Sequence, residues 1–408
     1  MAGCSHNNAG KTCGGKRQAV TLTAPLFPGL RKGIFRERPN RFVIRCDLPG
    51  EKIEAYLPNP GRLWELLLPG RIVYIAPRPP GGAGRLSHMA VAVEREGTPL
   101  LLHTHANNTV AEALIRAGRI PGLSGARLIR PEIRVENSRF DFLLEREGKP
   151  FYLEVKSCTL VGRRIAMFPD AVTLRGKRHL EELAAMNQRG IACGVLFLIH
   201  WGEARYFLPD YHTDLAFAQT FAACRDDLRI LAAALRWQPD LSLAPAVHEV
   251  RIPWETLERE ARDAGDYLFL LRLPEAAAIP VGSLGTIPFS AGYYLYVGSA
   301  RRGLTARLKR HLHQHGKPHW HIDYLKDFAC SRLAIPIRSS DSLEHELAQA
   351  VDRIADGRVT AFGSSDCSCP SHLFRFTGDP LKRKDFIDLL QRFRIDRLEQ
   401  TIAEEEPG

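Results

Sequence analysis

The sequence predicts an α+β protein of several domains: a small β-barrel, then two mixed α/β domains. Three observations carry this. A chain of 408 residues is longer than one hydrophobic core ordinarily organises. Residues 20–103 alternate short apolar runs with Pro/Gly turns, at the spacing of a small barrel. Beyond residue 104, and again from about 262, strand-like runs alternate with helical periodicity.

In order along the chain, residues 1–19 are rich in Gly, with Asn and Lys and no apolar core, and read as a disordered leader rather than a signal peptide. Arg41–Cys46, Lys52–Leu57, Arg71–Ile75 and Met89–Val93 read as strands, punctuated by Pro49-Gly50, Pro58-Asn-Pro-Gly61, Pro69-Gly70 and Pro79-Pro-Gly-Gly82. In residues 104–240 a helix opens near Thr109, strands fit Phe140–Leu144, Tyr152–Val155 and Gly194–Ile199, and helices fit Lys177–Gln188 and Leu215–Leu235. Residues 241–261, with Pro245 and Pro253, read as a linker. In residues 262–380 strands fit Tyr267–Leu273 and Tyr293–Val297, and helices fit Leu304–Leu312 and Leu343–Ile354; residues 381–408 read as a helical tail in which 381–404 form a charged amphipathic helix.

Composition narrows the function. Apolar residues at 45% and charged residues at 25% suit a soluble protein with real cores, and no apolar run reaches membrane-spanning length. A net charge of +10 suits a polyanionic partner, because each phosphate contact releases counterions. Nine scattered cysteines, an odd number, argue for a reducing compartment over a disulfide framework, so the expected location is cytoplasmic.

Side chains alternate along a strand, so Asp141 faces away from Phe140 and Phe142, and Glu154 and Lys156 face away from Val155. Thirteen positions separate the acids, enough for two adjacent strands and the Glu147-Gly148 turn. Two carboxylates and an ammonium can therefore meet on one sheet face. Hard oxygen ligands of this kind hold Mg²⁺ or Mn²⁺, which stabilises charge on a phosphate and acidifies a bound water. Glu112, on the preceding helix, is a further candidate ligand. The alternative reading is an exposed strand face with an ordinary ion pair.

The barrel offers Arg31, Lys32, Arg36, Arg38 and Arg41 interleaved with Phe35 and Phe42, a pattern in which cations track phosphates and aromatics stack on bases. The alternative places both phenylalanines in the core and the arginines on a solvated edge.

Pro58-Asn-Pro-Gly-Arg62, Asn137-Ser-Arg-Phe-Asp141, Leu153-Glu-Val-Lys-Ser157, Phe168-Pro-Asp-Ala-Val-Thr173 and Arg175-Gly-Lys-Arg-His-Leu180, in that order, resemble the sugar fermentation stimulation protein (SfsA) family over about residues 20–240. The resemblance implies an OB-type barrel joined to a PD-(D/E)XK restriction-endonuclease-like domain. Asp141, Glu154 and Lys156 then stand at the nuclease signature positions, with Glu112 as a fourth member. It leaves two functions open: a metal-dependent nuclease acting on DNA or RNA, and a DNA-binding transcriptional regulator of sugar metabolism whose metal sites are weak or vestigial. Asp170 is read either as support for this site or as a loop cap.

In the C-terminal region Tyr267 and Tyr296 suit general acid or base roles, Arg307 and His311 share one helix face at i, i+4, and Glu344 suits a single metal. Strand aromatics and a capping-box glutamate after Asp341 are the plainer readings. Together with Tyr296-Val-Gly-Ser-Ala300, His319-Trp-His-Ile-Asp-Tyr-Leu325 and Phe362-Gly-Ser-Ser-Asp-Cys-Ser-Cys369, they resemble the Uri-type branch of the GIY-YIG nuclease family over about residues 262–376. The resemblance implies Tyr267, Tyr296, Arg307, His311 and Glu344 as the catalytic set. Asp266 departs from it where an apolar residue is usual, and so does an insertion from Pro274 to Gly292. Cys367, Cys369 and His372, with Cys330 as a fourth, are zinc candidates, although Cys-x-Cys is shorter than the usual spacing and no second Cys pair follows; the plainer reading is a solvent-facing loop that supports the active site.

Overall fold

The computed structural model describes residues 23–78, 85–135, 138–313, 318–364 and 367–405. The leader, the Pro79–Gly82 turn, Asn137 and Asp366 lie outside the described residues.

Alternating apolar residues build the first unit from β1 (Arg31–Asn40), β2 (Val43–Leu48), β3 (Glu51–Tyr56), β4 (Ile72–Pro77), β5 (His88–Arg95) and β6 (Thr98–Leu101). The order β3-β2-β1-β4-β5-β6 closes into a barrel through parallel pairing of β3 with β5. Closure removes the exposed sheet edges that an open sheet of this size would present.

The central unit follows with α1 (Asn107–Arg116), β7 (Arg127–Val135), β8 (Ser138–Arg146), β9 (Lys149–Cys158), β10 (Leu160–Val161), β11 (Ile165–Phe168), α2 (Leu174–Gln188), β12 (Cys193–Ile199), β13 (Tyr206–Pro209), α3 (Leu215–Ala223), β14 (Arg229–Trp237), β15 (Leu243–Glu249) and α4 (Trp254–Glu260). Its main sheet has the order β15-β14-β12-β9-β8-β7. β12 is buried along its whole length, as a strand covered on both faces must be.

The structure departs from the sequence expectation in two places. The helix expected over Leu215–Leu235 stops at Ala223, and Ile230–Ala234 instead lie parallel to β12. Leucine and alanine favour helix locally, but the vacant sheet edge beside β12 outweighs that small preference. Residues 241–261 are not a linker. They hold β15, antiparallel to β14, and α4. Pro245 sits on an edge strand, where a missing N–H costs no ladder bond.

The third unit comprises β16 (Gly265–Leu273), β17 (Ala277–Pro280), β18 (Thr286–Phe289), β19 (Gly292–Ala300), α5 (Leu304–Leu312), β20 (Ser331–Arg338), α6 (Glu344–Ile354), β21 (Gly357–Arg358), β22 (Leu373–Phe376), α7 (Lys384–Gln391) and α8 (Leu398–Glu404). Its sheet has the order β20-β16-β19-β22-β21, and the Pro274–Gly292 insertion forms the hairpin β17–β18. The expected tail is helical but is built into the cores. Phe386, Leu390 and Phe393 pack under the third sheet, while Ile395, Leu398 and Ile402 join the core shared by the first two units. Buried polar groups tie all three units: Arg394 pairs with Asp210 at 3.2 Å, and Arg62 of the barrel donates to Asp170 O at 2.9 Å and to Thr213 Oγ1 at 2.5 Å.

Candidate active site

β8 and β9 pair antiparallel with Phe142 opposite Leu153 and Leu143 opposite Tyr152. Asp141 lies just past the last pair. Its Oδ2 accepts from Val155 N at 2.8 Å, and its Oδ1 accepts from Asn108 Nδ2 of α1 at 2.6 Å. Glu154 is 5% exposed. Its Oε1 takes Lys156 Nζ at 2.5 Å and faces His179 Nδ1 of α2 at 2.8 Å. Its Oε2 is buried with no partner among the described residues.

The two acids feel each other. Burial, then the negative charge of Glu154, pushes Asp141 up to about 6. Burial works the same way on Glu154, but His179 and Lys156 outweigh it and hold that carboxyl below its usual range. Two neighbouring carboxylates, Asp141 half-buried and Glu154 buried with an unmatched oxygen, form a hard-oxygen donor set with capacity for a divalent cation.

Glu112, on α1 a turn beyond Asn108, is paired with Arg116 at 2.9 Å. His179 stands in the quoted Arg175–Leu180 motif but carries no role from sequence. It is 25 positions from Glu154, and only the docking of α2 brings it there. Of the two readings of Asp170, the structure shows the loop cap, and its side-chain hydrogen bonds among the described residues run to the Asn59–Arg62 loop and the adjoining Leu63 rather than to Asp141 or Glu154. Buried and held by Arg62, it accepts from Leu63 N at 2.7 Å and ties the Asn59–Arg62 turn to the central unit. Gly61 is required there, since a Cβ would sit 2.7 Å from Asp170 Oδ2.

On the barrel, Phe35 is 2% exposed and belongs to the core, so it has no base to stack on; Phe42, 45% exposed, is the outward ring. Arg38 is also not free for phosphate. It donates to the carbonyls of Gly61, Arg62, Arg41 and Asn59 and shapes that turn. Arg31, Lys32 and Arg36 hold exposed pairs with Glu51, Glu94 and Asp47. Such pairs are weak enough to exchange for phosphates. Arg41 is exposed and lines a cleft with Arg36, Arg62 and Trp64. A second cleft, lined by Arg41, Ser157 and Thr173, runs from the barrel toward the strand that carries Lys156. Val172, which lines this cleft, is 67% exposed, and Leu174, two positions on at the start of α2, is 82% exposed.

In the third unit Tyr267 Oη lies 2.9 Å from His311 Nε2, and Asp323 lies 3.5 Å from His311 Nδ1. Burial pushes Tyr267 far up, against the nearby Arg307. Arg307 stacks 3.9 Å above the Trp320 ring. Tyr296 packs beside Tyr267, with ring centroids 6.3 Å apart. Gly298 permits this pairing, since a Cβ would come within 2.5 Å of Tyr267 Oη. Asp266 serves the fold, because its Oδ2 accepts from Leu343 N at 3.0 Å, at the start of α6. Glu344 is not a capping-box residue. It accepts from Ser299 Oγ at 2.5 Å and faces His372 Nδ1 at 3.4 Å.

Cys367 Sγ lies 3.3 Å from His372 Nε2, and Cys369 Sγ lies 3.3 Å from His345 Nδ1. The expected partner Cys330 is not with them; its thiol faces Arg272 O at 3.4 Å.

Residues 37–102 match the family described as SfsA N-terminal OB domain, residues 105–240 the sugar fermentation stimulation protein RE domain, and residues 266–395 a domain of unknown function, DUF123. A sugar fermentation stimulation protein homolog from Moorella thermoacetica is 42% identical over 192 residues, covering 47% of this chain and 83% of that protein. One from Methanosphaera stadtmanae is 40% identical, covering 48% of this chain and 82% of that protein. The solved structure of Pyrococcus furiosus SfsA in complex with Ca²⁺ is 27% identical with a TM-score of 0.52, covering 57% of this chain and 99% of that one. Among the described residues, no helix is long and apolar enough to cross a membrane.

Proposed function

The chain belongs to the sugar fermentation stimulation protein family, and from that premise we propose that its central unit is a divalent-metal-dependent nuclease acting on DNA or RNA. The observation that carries this is the unpartnered, buried Glu154 Oε2 beside Asp141. A binding module has no use for converging carboxylates that repel each other. The Ca²⁺ named with the related Pyrococcus furiosus protein fits the same oxygen chemistry.

Asp141 and Glu154 would hold Mg²⁺ or Mn²⁺, which supplies charge stabilisation at the phosphate and an acidified water. Asn108 and Val155 N fix the Asp141 carboxylate. His179 orients Glu154 from the helix side and is a positioning residue. Lys156, whose ammonium is already at the acid pair, is placed to orient the attacking water and to neutralise the phosphate. Arg36, Arg41 and Phe42 give the barrel a cationic, aromatic approach for a nucleic-acid strand. The exposed Val172 in the cleft and Leu174 two positions on offer apolar contact to unstacked bases. The third unit is read as a second, GIY-YIG-like module around Tyr267, Tyr296, Arg307 and His311.

The test compares wild type, Glu154→Gln, Tyr296→Phe and their combination on single-stranded, duplex and branched DNA and on RNA, with Mg²⁺ and with chelator. Loss of metal-dependent cleavage in Glu154→Gln by more than about a hundredfold is expected. Tight binding with no cleavage by wild type would instead favour a DNA-binding regulator of sugar metabolism.

A further inference from the structure

We propose that His345, Cys367, Cys369 and His372 form a closed zinc site that fastens the start of α6 to the loop before β22. Their ligand atoms all lie within 4.8 Å of one another, and two of the sulfur–nitrogen separations are 3.3 Å. Zn–S bonds of about 2.3 Å and Zn–N bonds of about 2.0 Å, at tetrahedral angles, require S···N edges of about 3.5 Å. The cluster is therefore close to tetrahedral size. Two thiolates and two imidazoles are a soft donor set, unlike the oxygen pair at Asp141 and Glu154, and they select zinc over Mg²⁺.

A second observation points the same way. His372 turns Nε2 toward Cys367 and Nδ1 toward the carboxylate of Glu344 at 3.4 Å and Val297 O at 3.2 Å. A carboxylate on the far nitrogen is the usual support of a zinc-bound histidine, fixing its tautomer and raising its basicity. Glu344 thereby becomes a positioning residue for the zinc, with Ser299 holding its other oxygen. Four protein ligands leave no open position, so the role is structural. The site also bears on the tyrosine pair. Phe362 and Gly363, in the fastened loop, pack on Tyr296, with a Phe362–Tyr296 centroid distance of 6.3 Å.

Full-length protein, purified under reducing conditions, is expected to carry about one zinc per chain by elemental analysis. Cobalt exchanged into it should give the thiolate-to-cobalt absorption and intense visible bands of a tetrahedral two-sulfur site. Competition with a chromophoric chelator should show zinc affinity falling by more than about tenfold in Cys367→Ser/Cys369→Ser, His345→Gln and Glu344→Gln, with Cys330→Ser unchanged. Wild type that takes up neither zinc nor cobalt, or equal zinc affinity in the double cysteine variant, overturns the proposal. Should that variant fail to fold, His345→Gln carries the test, because its side chain is on the surface.

Discussion

Glu65 gives a prediction whose sign and size follow from its surroundings. It is 7% exposed in the barrel, and its Oε1 has no partner among the described residues. Burial, followed by the nearby Asp170 charge, pushes its carboxyl up to about 8. The native chain therefore keeps a proton that the unfolded chain gives up at its ordinary carboxyl value. For an acid raised in this way the native state binds more protons, so stability falls as pH rises between the two values. The slope is about 1.4 kcal/mol per pH unit for one proton. His200 and His212 act in the opposite sense at lower pH, because burial keeps them neutral and the unfolded chain protonates first. Comparing wild type with Glu65→Gln cancels them. Urea unfolding at pH 6 and pH 8.5 should show the variant gaining about 2–3 kcal/mol relative to wild type across that interval. A difference that is constant with pH, or that grows toward low pH, would refute the reasoning.

Gly298→Ala should lower stability by about 1–3 kcal/mol in thermal melts, because the new methyl would meet Tyr267 Oη and the Tyr296 ring. Arg38→Ala should lower the melting temperature by several degrees, since it strands four carbonyls around the Asn59–Arg62 turn. Arg36→Ala should leave the melt within about 0.5 kcal/mol of wild type and weaken binding to labelled nucleic acid in a salt titration. Val172→Ser/Leu174→Ser should raise Kd for single strands by about tenfold, read by fluorescence anisotropy, with an unchanged melt.

How much the sequence discloses depends on whether the signal is local. Asp141, Glu154 and Lys156 are legible because strand alternation and a single turn fix which face each residue takes. Arg31-to-Phe42 is only half legible. Phe42 lies in the turn between β1 and β2, and the register of β1 against β2 shifts twice between Phe35 and Asn40, so strand alternation counted from the buried Phe35 does not govern the exposure of Phe42. His179 and His345 escape sequence reasoning as members of their clusters for a common reason. Each reaches its partners through the packing of a helix, 25 positions from Glu154 and 24 from Cys369, and no spacing rule encodes that. The strand at Arg229–Trp237 reads as helix because Ala and Leu favour helix locally, whereas its pairing with β12 is a tertiary fact. The tail reads as a charged amphipathic helix, and its pattern alone does not say which of Arg392, Arg394 and Arg397 the fold covers. Two of these are buried or largely so, with Arg394 on Asp210 and Arg397 on Glu260.

Metal occupancy between Asp141 and Glu154 is the most direct test of the central reading. Crystals of the full chain soaked in Mn²⁺ should show an anomalous peak within about 2.2 Å of oxygens from both carboxylates, and Glu154→Gln should abolish it. A wild-type crystal at saturating Mn²⁺ with no peak there, and Glu154 still paired only with Lys156 and His179, would contradict the account.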